Sequence, residues 1–326
     1  MQLPTYEDVK KAAARIQGVA VRTPLLYARA ASEALGRPVY VKAECLQRTG
    51  SFKFRGAFNR ISQLAPGEAS GGVIAVSSGN HAQGVAAAAA LHGLSAKIVM
   101  PMDAPNVKRE GTLALGAEIV PFDRATDDRD AIAQALAEKE GRVFVPPYED
   151  FNVVAGQGTV GHEIAEDMDA LGLEPAAVLT PAGGGGLLAG VALAIAARCP
   201  DAAIYGVEPD GFDDLRRSIV AGERQRNPKT VGSICDAMLT PMPGALPFAI
   251  LKEQLSDVLL VSDDEAGQAV AHAFRSLKIV AEPGGAAALA AVLAGKVPAG
   301  DGAIVAVVSG GNVDAELFAR LILKAS

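Results

Sequence analysis

The chain has 326 residues, of which 50% are hydrophobic, 21% charged and 5% aromatic, enough apolar matter to bury a core of about two domains' size. That excludes a disordered chain and a disulfide-stapled miniature. Thirty basic residues against 37 acidic ones leave a net charge of -7, and without a Lys/Arg-rich run nucleic acid is not an expected partner.

At the N-terminus Thr5 and Asp8 have the three-residue spacing of a capping box, ahead of an amphipathic run. No apolar segment of signal-peptide type stands there, so a cytoplasmic protein is expected. Short β-rich apolar runs at 39–41, 73–77, 97–100, 118–120, 143–145, 177–180, 204–207, 258–261 and 304–308 alternate with helical stretches at 80–92, 126–140, 187–197 and 263–277. This alternation is the pattern of parallel sheets covered by crossover helices, and nine strands suffice for two sheets. The longest apolar run, 187–197, ends at Arg198, well short of the roughly 20 residues of a spanning helix, so no membrane association is expected. Cys45, Cys199 and Cys235 are odd in number, far apart and without CxxC spacing, which points to reduced thiols rather than a zinc cluster or redox pair.

Three strands end in small, polar, flexible residues: SSGNH at 77–81, PAGGGG at 181–186 and SGGN at 309–312. Ligands of open parallel sheets bind at the carboxyl ends of strands, so three such ends point to a shared cleft. Glycines that merely supply tight turns are the alternative at any one of them. Gly183, Gly184, Gly185 and Gly186 lie between a strand and the helix starting at Leu187, where bare amides and a helix N-terminus can converge on a phosphate. The spacing is that of neither a dinucleotide fingerprint nor a P-loop. Lys53 stands between Phe52 and Phe54 at the start of a helix. Two rings and a helix dipole would lower its pKa and leave a neutral amine able to attack a carbonyl; a surface lysine laying its stem along apolar residues is the plain alternative.

Taken in order, SFKFRGA at 51–57, SSGNHAQG at 77–84, GQGT at 156–159, GGGG at 183–186, GVEP at 206–209, EPGGA at 282–286 and SGGN at 309–312 resemble the serine/threonine dehydratase and serine racemase family of pyridoxal-phosphate enzymes. The resemblance runs from about residue 5 to the C-terminus. It implies a tryptophan synthase β-like fold (fold type II), an α/β architecture of two open parallel-sheet domains with helices on both faces. The cofactor would lie in the cleft between a large domain of residues 1–69 plus 148–326 and a small mobile domain of residues 70–147. Lys53 would hold the cofactor covalently and serve as base for the Cα proton. Phe52 would lie against the pyridine ring, Asn80 bond the phenolic oxygen, Gly183 to Gly186 cradle the phosphate, and the Ser309 hydroxyl face the pyridine nitrogen. Ser77, Ser78, Gly79, Asn80 and His81 would grip the substrate carboxylate.

The resemblance also implies a divalent cation, Mg²⁺, Mn²⁺ or Ca²⁺, on Glu208, the carbonyl of Phe212 and Asp214, all hard oxygen ligands. Phe212 departs from the small residue common in the racemase branch. Ser78 matches a serine that racemases use on the face opposite the lysine, and Arg129 an arginine near the closing cleft. The expected activity is elimination of water from L-serine or L-threonine to a 2-oxo acid and ammonia. Serine or aspartate racemase, 3-hydroxyaspartate dehydratase and a non-catalytic binder of amino acids or vitamers are the alternatives. A homodimer is expected. The 17 residues after Ser309 are too few for the isoleucine-sensing domain of biosynthetic threonine dehydratases, so no such regulation is expected.

Overall fold

The structure, a computed structural model, describes residues 1–229 and 231–324. Its described strands are β1 (Leu25–Tyr27), β2 (Val39–Ala43), β3 (Val73–Val76), β4 (Ala96–Pro101), β5 (Glu118–Phe122), β6 (Val143–Phe144), β7 (Pro175–Pro181), β8 (Ala203–Pro209), β9 (Asp257–Val261) and β10 (Ala303–Val308). They form a six-stranded sheet in the order β1-β2-β10-β7-β8-β9 and a four-stranded sheet in the order β5-β4-β3-β6. All neighbours are parallel except the β1–β2 pair. The fold is thus α/β, two parallel-sheet layers with helices on both faces.

The continuous apolar strands follow from burial on both faces. In the large sheet Leu179, Val207, Ala306 and Val308 pack on one side against the Asp263–His272 and Ala287–Leu293 helices. Val178, Ile204, Val305 and Val307 pack on the other against the Phe151–Ala170 and Gly186–Arg198 helices. In the small sheet Val73, Ala75, Ile98 and Met100 face the Asn80–Leu91 helix, and the apolar side of the Lys53–Ile61 helix joins that same core. The Lys53 helix is therefore held between the two sheets.

Strand β1 was invisible in the sequence, because a three-residue edge strand whose Tyr27 is exposed shows no alternation to read. The helix expected from 126 begins instead at Arg129, where Asp128 accepts from the amides of Asp130 and Ala131 at 3.0 and 3.1 Å and so fixes the start as an N-cap. The stretch expected as one helix to 277 is α-helical to His272. It then widens to a π-turn over Ala273–Leu277 that ends on Lys278 at φ 60°. The Thr5 cap forms, with the Asp8 carboxylate accepting from the Thr5 amide at 3.0 Å and from its hydroxyl at 2.8 Å. All three cysteines are free and buried. Among the described residues no helix is long and apolar enough to cross a membrane.

Candidate active site

The loops after β3, β7 and β10 line one cavity of about 580 Å³ between the two sheets, with the segment that leaves β6 as a further wall. Lys53 is the first residue of its helix and reaches this cavity. Its Nζ donates to the Pro147 carbonyl at 2.9 Å and lies 5.1 Å from the centre of the Phe52 ring. Loss of water around the amine pushes Lys53 down to about 8, so much of it is neutral at mildly alkaline pH. The pair of flanking rings is a correction. Phe54 turns into the core, stacks on Phe58 at 5.7 Å and carries the Arg48 guanidinium at 5.3 Å. Residues two apart on a helix point about 200° apart, so Phe52 and Phe54 cannot both lie beside the amine.

Ser77 to His81 pass from β3 into the Asn80–Leu91 helix. The Ser77 hydroxyl accepts from the amides of Gly79 and Ala82 at 3.0 and 3.1 Å, which commits it to shaping the loop. Ser78 lines the cavity. A Cβ on Gly79 would fall 2.2 Å from Cδ of Lys108, so only glycine fits over that buried stem. Asn80 donates from Nδ2 to Glu282 at 2.5 Å and accepts on Oδ1 from Asn312 at 2.9 Å. An amide NH₂ carries two hydrogens, which leaves one for a cofactor oxygen. His81 Nε2 lies 2.9 Å from the Val145 carbonyl, which can only accept, so Nε2 carries the proton and Nδ1 is bare. Burial, and then the charge of Lys53, push His81 down to about 3, so it stays neutral.

Across the cavity, Gly185 takes φ +88°, a conformation open to glycine, and brings the bare loop onto the N-terminus of the Gly186–Arg198 helix. Ser309 directly follows β10 at the cavity wall, its carbonyl accepting from the Phe52 amide at 3.1 Å. An amine, an amide, a hydroxyl and a glycine-lined helix N-terminus thus face one space. This donor set fits a phosphorylated aldehyde cofactor.

Four residues of this site were missed. Lys108 is buried between Asp236 and Glu282, 2.8 Å from a carboxylate oxygen of each. Burial lifts the Glu282 carboxyl even though Lys108 draws it down. Tyr148 packs on the glycine loop, and a Cβ on Gly184 would lie 2.3 Å from its ring. Glu282 stood inside the quoted EPGGA motif without a role, and Tyr148 follows two prolines that mark a rigid exit from β6. Lys108 and Asp236 gave no sequence signal.

Glu208 and Asp214 lie outside the cavity, at the end of β8 and the start of the Asp214–Ala221 helix. Glu208 accepts from the amides of Leu215 and Arg216 at 2.9 and 3.0 Å. Asp214 Oδ1 accepts from Asn227 at 2.5 Å, while Oδ2 is buried without a hydrogen-bond partner. Burial, reinforced by Asp214, pushes Glu208 well up, and burial lifts Asp214 to about 7. Phe212 is buried under the Lys229 ammonium, 5.1 Å from its ring centre. Among the described residues no group of three or more His, Cys, Asp or Glu side chains gathers as a metal cluster. Arg129 lines the cavity, and its charge acts on the Tyr148 phenol; Arg124, also on the lining, donates from Nε to Asp103 at 2.8 Å.

Residues 16–310 match the family described as pyridoxal-phosphate dependent enzyme. The chain belongs to this family. It is 43% identical over 322 residues to the L-threo-3-hydroxyaspartate ammonia-lyase of Pseudomonas sp, covering 99% of each chain. Among solved structures, a threonine deaminase from T.th. superposes with a TM-score of 0.89 at 42% identity, over 95% of this chain and 99% of that one. Maize serine racemase does so with a TM-score of 0.92 at 34% identity, over 99% and 98%. Pyridoxal phosphate is the cofactor of this enzyme family, and the fold supports lyase chemistry of the dehydratase type, with racemases on the same fold beside it.

Proposed function

We propose that the chain eliminates water from a small β-hydroxy L-amino acid, L-serine or L-threonine, and releases a 2-oxo acid and ammonia. The observation that carries this reading is the desolvated Lys53 amine, in a cavity that also holds the Gly183–Gly186 loop and the Ser77–His81 loop. Bound pyridoxal phosphate supplies the electron sink that makes a Cα proton removable. The amides of Gly183 to Gly186 would hold its phosphate, Asn80 would bond its phenolic oxygen, and Phe52 would pack on its ring. Ser309 offers a hydroxyl where a carboxylate would hold the ring nitrogen protonated, which favours elimination over long-lived carbanion chemistry. The loop from Ser77 to His81, with the N-terminus of its helix, binds the substrate carboxylate. Lys53 Nζ receives the Cα proton. Measuring 2-oxo acid release over a panel of L- and D-hydroxy amino acids, with chiral analysis of the remaining substrate, tests this. Inversion without 2-oxo acid would make it a racemase with Ser78 as the second acid/base.

Arg129 on the cavity lining favours one second reading, a dicarboxylic substrate such as 3-hydroxyaspartate. In the same panel that substrate would give the highest kcat/KM, and Arg129→Ala would lower that value far more than the value for serine.

Glu208, the Phe212 carbonyl and Asp214 fit a hard divalent cation, since a buried carboxylate oxygen without a partner lies beside a second buried carboxylate. Residues 70–147 act as the small domain that closes over the substrate and excludes water. Scattering that shows no contraction on adding a substrate analogue would count against closure. The enzyme works as a cytoplasmic homodimer, and a monomer mass in sedimentation would refute the dimer.

A further inference from the structure

Arg55 lies two residues beyond Lys53 on the same helix and is fully buried. Its guanidinium meets two carboxylates at once. Nε and Nη2 donate to Glu44 at 2.8 Å each, while Nη1 and Nη2 donate to Glu163 at 2.7 and 2.9 Å. Glu44 follows β2, and Glu163 belongs to the Phe151–Ala170 helix. The buried Lys42 ammonium lies 2.8 Å from Glu163, and the Thr23 hydroxyl donates to Glu44 at 2.5 Å. Burial would raise the Glu163 carboxyl, but the charges of Arg55 and Lys42 outweigh it and hold it low.

Buried ion networks are a poor source of stability, because desolvating the charges offsets most of their attraction. What a planar guanidinium forked to two carboxylates adds is definition in angle and translation. The helix makes that definition matter. Residues two apart point about 200° apart around the axis, so Arg55 is anchored on the side away from the amine. A rotation that relaxed Arg55 would swing Lys53 out of the cleft.

The contact beneath is also tight. A Cβ on Gly156 would lie 2.7 Å from the Gly56 Cα, and Gln157 accepts from the Gly56 amide at 3.1 Å. The same long helix meets the helix of the glycine loop, where a Cβ on Gly190 would lie 2.4 Å from the Gly158 nitrogen. One element thus spans the lysine helix and the phosphate-loop helix.

We infer that Arg55 is a positioning residue for Lys53: its paired forks to Glu44 and Glu163 fix the rotation of the Lys53 helix on the Phe151–Ala170 helix, and so the place of Nζ in the cleft. The inference rests on the reading of Lys53 as the working amine. An error of about 1 Å in a reacting group costs on the order of 100-fold in rate, which is the scale on which such a clamp acts.

The test is Arg55→Lys in the cofactor-loaded enzyme, which keeps the charge and loses the double fork. The expected result is kcat lower by about 10- to 100-fold, KM within about twofold, and a displaced midpoint in the pH titration of the cofactor's visible absorbance. A lowered thermal midpoint with kcat and titration unchanged would make Arg55 a residue of the fold only and overturn the inference. Should that variant not fold, Glu163→Gln removes one fork and must move the titration in the same direction; an unmoved titration overturns the inference equally. The titration needs only bound cofactor. A wild-type enzyme that releases no 2-oxo acid therefore refutes the proposed activity without touching this result.

Discussion

A lysine that is charged in water but buried in the folded chain carries a pH-dependent cost. Burial lowers Lys53 from 10.5 to about 8, so between those values the unfolded state binds more protons than the folded one, and stability rises with pH across that window. Below about 8 the cost is present in full. Lys53→Met in the cofactor-free protein should therefore raise the thermal midpoint at pH 7, with the gain shrinking as pH climbs from 8 toward 10. A gain independent of pH would contradict the burial of a titrating amine. Gly79→Ala makes a second demand on the site. The new Cβ would meet Cβ, Cγ and Cδ of Lys108 within 2.8 Å, and that lysine is pinned by two carboxylates, so the loop has to move. We expect kcat/KM to fall by about 10- to 100-fold with the fold intact by circular dichroism. The glycine itself was legible as part of a flexible strand end. The reason for it was not, because Lys108 and Asp236 come from distant segments with no motif of their own.

At the scale of the element, the strands that carry the site were readable because they are buried on both faces and so are continuous apolar runs. What escaped was set by neighbours: a three-residue edge strand, a helix start moved by Asp128, and a π-turn after His272. The orientation of Phe54 belongs here too, since the FKF pattern names the residues but the helix decides which face each one takes. The joint between β8 and the Asp214–Ala221 helix carries its own prediction. With an orphaned carboxylate oxygen on Asp214 and both carboxyls lifted by burial, a bound cation would stabilise the folded state in proportion to its occupancy. Chelation should lower the thermal midpoint of the wild type, Mg²⁺, Mn²⁺ or Ca²⁺ should restore it, and Glu208→Gln should abolish the response. A chelator that changes neither midpoint nor activity removes the cation from this joint.

Across the whole molecule, two sheets meet so that three strand ends, one amine and one helix N-terminus face a single cavity. The architecture was legible because strands and helices alternate along the entire chain. The cleft was legible because the three strand ends that line it are rich in glycine, serine and asparagine. The buried ionic scaffold around Arg55 was not, since charged residues in sequence read as solvated surface until their partners are known. The proposed function makes Lys53 the group that takes the Cα proton. The direct measurement is 2-oxo acid release from L-serine and L-threonine by Lys53→Ala and wild type, both supplied with saturating pyridoxal phosphate. We predict a loss of at least about 1,000-fold, because covalent anchor and base disappear together. Turnover by the mutant within about tenfold of wild type would show that another residue moves the proton.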